Sequence, residues 1–140
     1  MAPWKEKYMS NILKVAAMAA SLAFVGAVPA LAEGDAVAGK AVFNQCKACH
    51  QVGPEAKNGV GPVLNGIVGR KAGEAAGYNY SDANKGSGLT WDEATLKEYL
   101  TDPKAKVPGT KMIFPGIKRE NQLENLIAYL KEIKADGSGI

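Results

Sequence analysis

Both cysteines of the chain and its only histidine lie within five residues, "CKACH", as Cys46, Cys49 and His50. Three chemistries draw on such a cluster. A disulfide or thioredoxin-like redox pair would place C-x-x-C at a helix start after a strand, in a βαβ setting that this sequence does not suggest. A structural zinc site needs four ligands, and two cysteines with one histidine cannot complete the set. The third chemistry is covalent attachment of a c-type haem, whose signature is C-x-x-C-H. Two thiols separated by two residues on one turn can each add to a porphyrin vinyl group, and the next residue presents its imidazole to the iron. One haem c bound through Cys46 and Cys49, with His50 as a metal ligand, is therefore expected.

Counting restricts the other axial ligand. With a single histidine, two imidazoles cannot come from one chain. Of the four methionines, Met1, Met9 and Met18 precede residue 32, which leaves Met112. It sits in "VPGTKMIFPG", between Pro108, Gly109, Pro115 and Gly116. Such a segment makes a poor helix and a good loop for presenting one side chain. His50 and Met112 are thus the expected metal ligands, an electron-transfer arrangement in which the thioether raises the reduction potential.

The elements that must position these residues follow from periodicity and capping. Lys5, Lys7 and Lys14, an apolar run from Val15 to Val28 and the ending Pro29, Ala30, Leu31, Ala32 have the order of a secretory signal peptide. The run is about 14 residues, short of the roughly 20 that span a bilayer. Residues 1–32 are expected to be cleaved, whether translation starts at Met1 or Met9, leaving one domain over 33–140 in an exported protein. Of 17 basic and 14 acidic residues, Lys5, Lys7, Lys14 and Glu6 belong to the leader, so 14 and 13 remain. A net charge of +1 is no footprint for nucleic acid.

Within 33–140, Asp35 is expected to cap a first helix reaching about residue 48, with Gly39 and Phe43 on one face. Glycines and prolines from residue 51 to 77 predict loops, which in so small a domain need an apolar body to wrap. "TWDE" fits a capping box, Thr90 with Glu93, opening a helix that Pro103 closes near Asp102. A last helix over about 119–135 puts Leu123, Leu126, Ile127 and Leu130 at i, i+3, i+4 and i+7.

With these pieces placed, the chain resembles a class I cytochrome c, the mitochondrial type and its small bacterial relatives. The resemblance runs from "GDAVAGKAVF" through "CKACH", "GPVLNGIVGRKAG", "GYNYSDANK", "LTW" and "PGTKMIFPGIK" to "LIAYLK". It implies an all-α fold with crossed first and last helices, Gly39 and Phe43 packing on Leu126 and Tyr129, plus a middle helix and long loops around the haem. It implies that the Pro62 carbonyl accepts the Nδ1 proton of His50. Arg70, Tyr80, Asn84, Trp91, Tyr99 and Thr110 are implied partners of the haem propionates or of the Met112 loop. Lys104, Lys106, Lys111, Lys118 and Arg119, with Lys47 more loosely, are implied to form the docking face. The chain departs from the mitochondrial pattern in its small basic excess and in Pro115 after Phe114.

The function so implied is that of a soluble, periplasmic, monomeric one-electron carrier, not an enzyme, without stable membrane insertion. Its donor would be a membrane cytochrome bc complex or a periplasmic dehydrogenase. Its acceptor would be a terminal oxidase, a photosynthetic reaction centre or a reductase. Two alternatives remain at this level. A haem peroxidase or small-ligand sensor would need a labile Met112, and a tethered haem subunit of a larger complex would keep its leader.

Overall fold

Among the described residues the first helix, α1 (Ala36–Val42), is capped by Asp35, whose Oδ1 accepts the N–H groups of Val37 at 2.8 Å and Ala38 at 3.2 Å. These coordinates are a computed structural model that describes residues 33–139. The signal peptide expected over 1–32 lies outside the described residues. Expected to reach residue 48, α1 instead ends at Val42 and tightens into a 3-10 turn, Phe43–Gln45. There the amides bond three residues back, Cys46 N–H to Phe43 O at 2.8 Å, and Asn44, a poor helix former, occupies the middle of the turn. Two further turns carry Cys46, Cys49 and His50, with His50 N–H donating to Cys46 O at 2.9 Å.

Four helices follow. α2 (Asp82–Lys85) is capped by Ser81, α3 (Glu93–Thr101) by Asp92, and α4 (Pro103–Lys106) by Asp102, while α5 (Glu120–Glu132) ends the helical order. The cap of α3 corrects the expected capping box. Thr90 is held in an isolated antiparallel bridge with Lys71, so Asp92 takes over and its Oδ1 accepts Thr95 N–H at 2.8 Å. Pro103 does end α3, and it also occupies the first position of α4, where a missing N–H costs nothing. That bridge is the only β-pairing among the described residues, and the architecture is all-α as expected.

The crossing of α1 and α5 organises the core. A Cβ on Gly39 would stand 1.9 Å from Asn125 O and 2.8 Å from Tyr129 Cβ, so only hydrogen fits at the contact. One turn on, the Phe43 ring tilts against Tyr129 with centroids 5.4 Å apart. Asn125 also ties the residue before α1 to α5, its Oδ1 accepting Asp35 N–H at 2.8 Å. Leu126, at 0 % exposure, and Leu123, Ile127 and Leu130 carry the apolar stripe of α5 into the same core as Leu96, Tyr99 and Leu100 of α3. Among the described residues no helix is long and apolar enough to cross a membrane.

Candidate functional site

The loops expected over 51–77 do wrap something. Together with α3, α5 and the segment from Thr110 to Phe114 they enclose a cavity of about 300 Å³, lined mainly by apolar side chains. Cys46, Cys49 and His50 border it, as do Pro62, Arg70, Tyr80, Asn84, Trp91, Tyr99, Thr110 and Met112. Every residue expected around the cofactor is thus brought to one place. No Asp or Glu lines the cavity, whereas Arg70 and Lys111 do.

His50 is half-buried, and its Nδ1 lies 2.7 Å from the Pro62 carbonyl oxygen. A carbonyl can only accept, so Nδ1 carries the ring proton and Nε2 keeps its lone pair free. Burial holds the imidazole below its usual pKa and the Arg70 charge adds to this, while the Pro62 bond opposes it. Gly61 makes the approach possible: a Cβ there would be 2.4 Å from His50 Cε1. Both cysteines are free thiols. Cys46 is pushed up to about 11, first by burial and then by the neighbouring Cys49, which marks it as a neutral thiol on an apolar wall.

Beside Met112 the loop is fixed by a short chain of hydroxyls. Tyr99 OH and Thr110 Oγ1 are 2.9 Å apart, and Thr110 Oγ1 accepts Met112 N–H at 3.3 Å. Tyr99 and Thr110 therefore serve the Met112 loop, and Trp91 stacks obliquely on Tyr99 with centroids 4.8 Å apart. Burial raises the Tyr99 pKa despite the Thr110 bond, so the phenol stays protonated. Tyr80 is buried and its hydroxyl accepts Ala75 N–H at 3.1 Å.

Arg70 spends two of its nitrogens on main chain, donating to Asn65 O at 3.2 Å and Val63 O at 3.0 Å. Its buried Nε and the buried Oδ1 of Asn84 have no partner in the protein. Unpaired buried polar atoms are costly, and a buried Arg N–H suits an anionic acceptor. Free thiols on an apolar wall, an imidazole with a free Nε2 and an orphaned Arg70 donor together fit a covalently attached haem with carboxylate substituents.

The expected docking cations are less uniform. Lys106 pairs with Glu98, Lys111 Nζ donates to Asn79 O at 2.9 Å and Lys118 Nζ to Thr101 O at 2.7 Å. Lys104 and Arg119 are exposed and enter no ion pair among the described residues, and Lys47 is exposed beside Cys46. Two rim residues escaped the sequence reading. Val60 and Ile113 border the cavity yet are 76 % and 92 % exposed. Their only sequence signal was an apolar residue inside a turn-rich segment. Tyr78 and Asn58 were also missed; Tyr78 OH donates to Val60 O at 2.7 Å and Asn58 Nδ2 to Ala76 O at 2.8 Å, tying two loops together.

Comparison with known proteins agrees with this geometry. The family described as Cytochrome c matches residues 36–134. The chain is 65 % identical over 105 residues to a cytochrome c2 of Rhodoblastus acidophilus, covering 75 % of this chain and 98 % of that one. It is 61 % identical over 121 residues to a cytochrome c-554 of Methylosinus trichosporium, covering 86 % and 92 %. Among solved structures, cytochrome cH from Methylobacterium extorquens superposes with a TM-score of 0.67 at 63 % identity, over 70 % of this chain and 98 % of that one.

Proposed function

Because the chain belongs to the cytochrome c family, class I electron carriers with covalently attached haem c, we propose that His50 and Met112 hold the iron of a periplasmic one-electron shuttle. The observation that carries this reading is the meeting of the chain's single histidine and the single methionine of residues 33–139 on one apolar cavity. Cys46 and Cys49 attach the haem, which supplies an iron that exchanges one electron. His50 offers Nε2 because Pro62 keeps the proton on Nδ1. Met112 offers its thioether from a loop that Thr110 and Tyr99 hold in place. Arg70 supplies a half-buried cation, with its Nε fully buried, toward the haem carboxylates, and the apolar walls exclude water, which limits reorganisation when charge changes.

Export by a leader over 1–32 places the carrier in the periplasm as a soluble monomer. It takes electrons from a membrane cytochrome bc complex or a dehydrogenase and passes them to an oxidase, a reaction centre or a reductase. Docking uses the rim where Val60 and Ile113 are bare and where Lys111 borders the cavity, with the exposed Lys47, Lys104 and Arg119 adding positive charge. An acidic partner would be steered by the cations and gripped by the apolar residues.

Stopped-flow transfer to the physiological acceptor tests the reading. Lys104→Glu with Lys111→Glu should slow it by roughly tenfold at low ionic strength and flatten its salt dependence. Rates indifferent to both changes would place docking elsewhere.

A further inference from the structure

The chain leaves His50, runs out through a loop and returns to bring Pro62 against the imidazole. The outgoing leg, 49–53, and the returning leg, 61–65, are joined rung by rung. Gly61 N–H donates to Cys49 O at 2.8 Å, and Leu64 N–H donates to Gln51 O at 3.1 Å. The last rung is a side chain. Asn65 Oδ1 accepts Gly53 N–H at 2.9 Å while Asn65 Nδ2 donates to Gly53 O at 2.8 Å, so one carboxamide engages both polar groups of a buried residue. The orientation of the amide is fixed, since the N–H can only donate and the carbonyl only accept.

Gly53 cannot easily be held any other way. Its φ of 117° belongs to glycine, and Gly137 packs so closely that a Cβ there would be 2.2 Å from the Gly53 carbonyl carbon. Its N–H has no bond except that to Asn65, although its carbonyl also accepts Ala56 N–H at 3.1 Å. Across the returning leg, Arg70 fixes Val63 O and Asn65 O. Pro62, whose carbonyl meets His50, thus sits between main-chain rungs that the Asn65 clasp closes at their far end, while Asn58 Oδ1 accepts Val63 N–H at 2.9 Å.

We propose that Asn65 is a positioning residue for His50: its clasp on Gly53 holds the two legs in register and so sets the hydrogen bond from His50 Nδ1 to Pro62. A firm bond there raises the basicity of the iron-ligating nitrogen and favours the ferric state. Opening the clasp therefore weakens that bond, speeds exchange of the Nδ1 proton and raises the reduction potential. The inference rests on His50 being an iron ligand, and the hyperfine-shifted ring protons of His50 in the wild-type NMR spectrum test that premise separately.

The experiment measures His50 Nδ1 proton exchange by NMR and the potential by redox titration in Asn65→Ala, Asn65→Asp and Leu123→Ala holoproteins. Asn65→Asp keeps the shape of the clasp but loses the donor to Gly53 O. Leu123→Ala lowers stability from a core position that does not border the cavity. Exchange should rise roughly tenfold in Asn65→Ala, as for losing a part-buried bond, with a higher potential, and exchange should also rise in Asn65→Asp, where a carboxylate oxygen faces the Gly53 carbonyl. The Leu123→Ala protein should keep the wild-type potential. Unchanged exchange and potential in the Asn65 variants would overturn the proposal, and so would an equal shift in the Leu123 control. If Asn65→Ala does not yield holoprotein, Asn65→Asp decides by the exchange of the His50 Nδ1 proton, unchanged exchange overturning the proposal.

Discussion

A single hydrogen atom at residue 61 decides whether the imidazole can lie where it does. An alanine there would put a methyl 2.4 Å from Cε1 and 2.7 Å from Nδ1 of His50. The neighbour is a ring pinned by Pro62, not the free end of a flexible chain, so it cannot swing aside without losing its hydrogen bond. Gly61→Ala is expected to displace the ring, lower the yield of holoprotein and reduce thermal stability by roughly 2 kcal/mol, as overpacking does. A variant with wild-type yield, spectrum and melting temperature would contradict this. The glycine was visible in the sequence, but its reason was not. "VGPVLNG" reads as a loop, and only the fold reveals that a ring lies against its second residue.

At the scale of elements, the crossing of α1 and α5 sets the frame in which the loops are hung. Gly39→Ala would gain about 1 kcal/mol of helix propensity in isolation. Against that stands a Cβ 1.9 Å from a main-chain oxygen of α5, which forces the helices apart at the centre of the core. The clash outweighs the propensity, and a net loss of about 3 kcal/mol is expected in denaturant unfolding. A stabilised variant would mean that the helices do not meet at this residue. The stripe of α5 was legible because Leu123, Leu126, Ile127 and Leu130 repeat at helical spacing over a long segment. The C-terminal end of α1 and the cap of α3 were not. Local rules favoured Thr90, and a bridge to Lys71, distant in sequence, removed it from contention. α2 spans Asp82–Lys85, too short for any periodicity to register. The residues expected around a cofactor, which the structure gathers on one cavity, were legible where their chemistry is scarce in this chain. The Asn65 clasp was not, because an asparagine twelve positions from its partner carries no local pattern.

For the whole molecule, the small net charge matters less than its placement. The cavity is bordered by Arg70 and Lys111 and by no carboxylate, while several acidic groups are engaged elsewhere, as in the pairing of Lys97 with Glu120 and Glu124 and of Lys131 with Glu93. Exposed pairs of that kind add little stability, but they leave the cavity rim with its cationic character. The carrier's cavity is thus apolar and bordered by cations rather than carboxylates. Binding of iron by both His50 and Met112 is what separates a carrier from an open-iron enzyme or sensor. Near-infrared absorption of the ferric holoprotein reports on this ligation, because the bond from iron to a methionine sulfur has its own band there. The band is expected in the wild type and should be lost in Met112→Ala, with small ligands then able to bind. A wild-type spectrum without the band, or a Met112→Ala spectrum that keeps it, would rule out Met112 as the ligand.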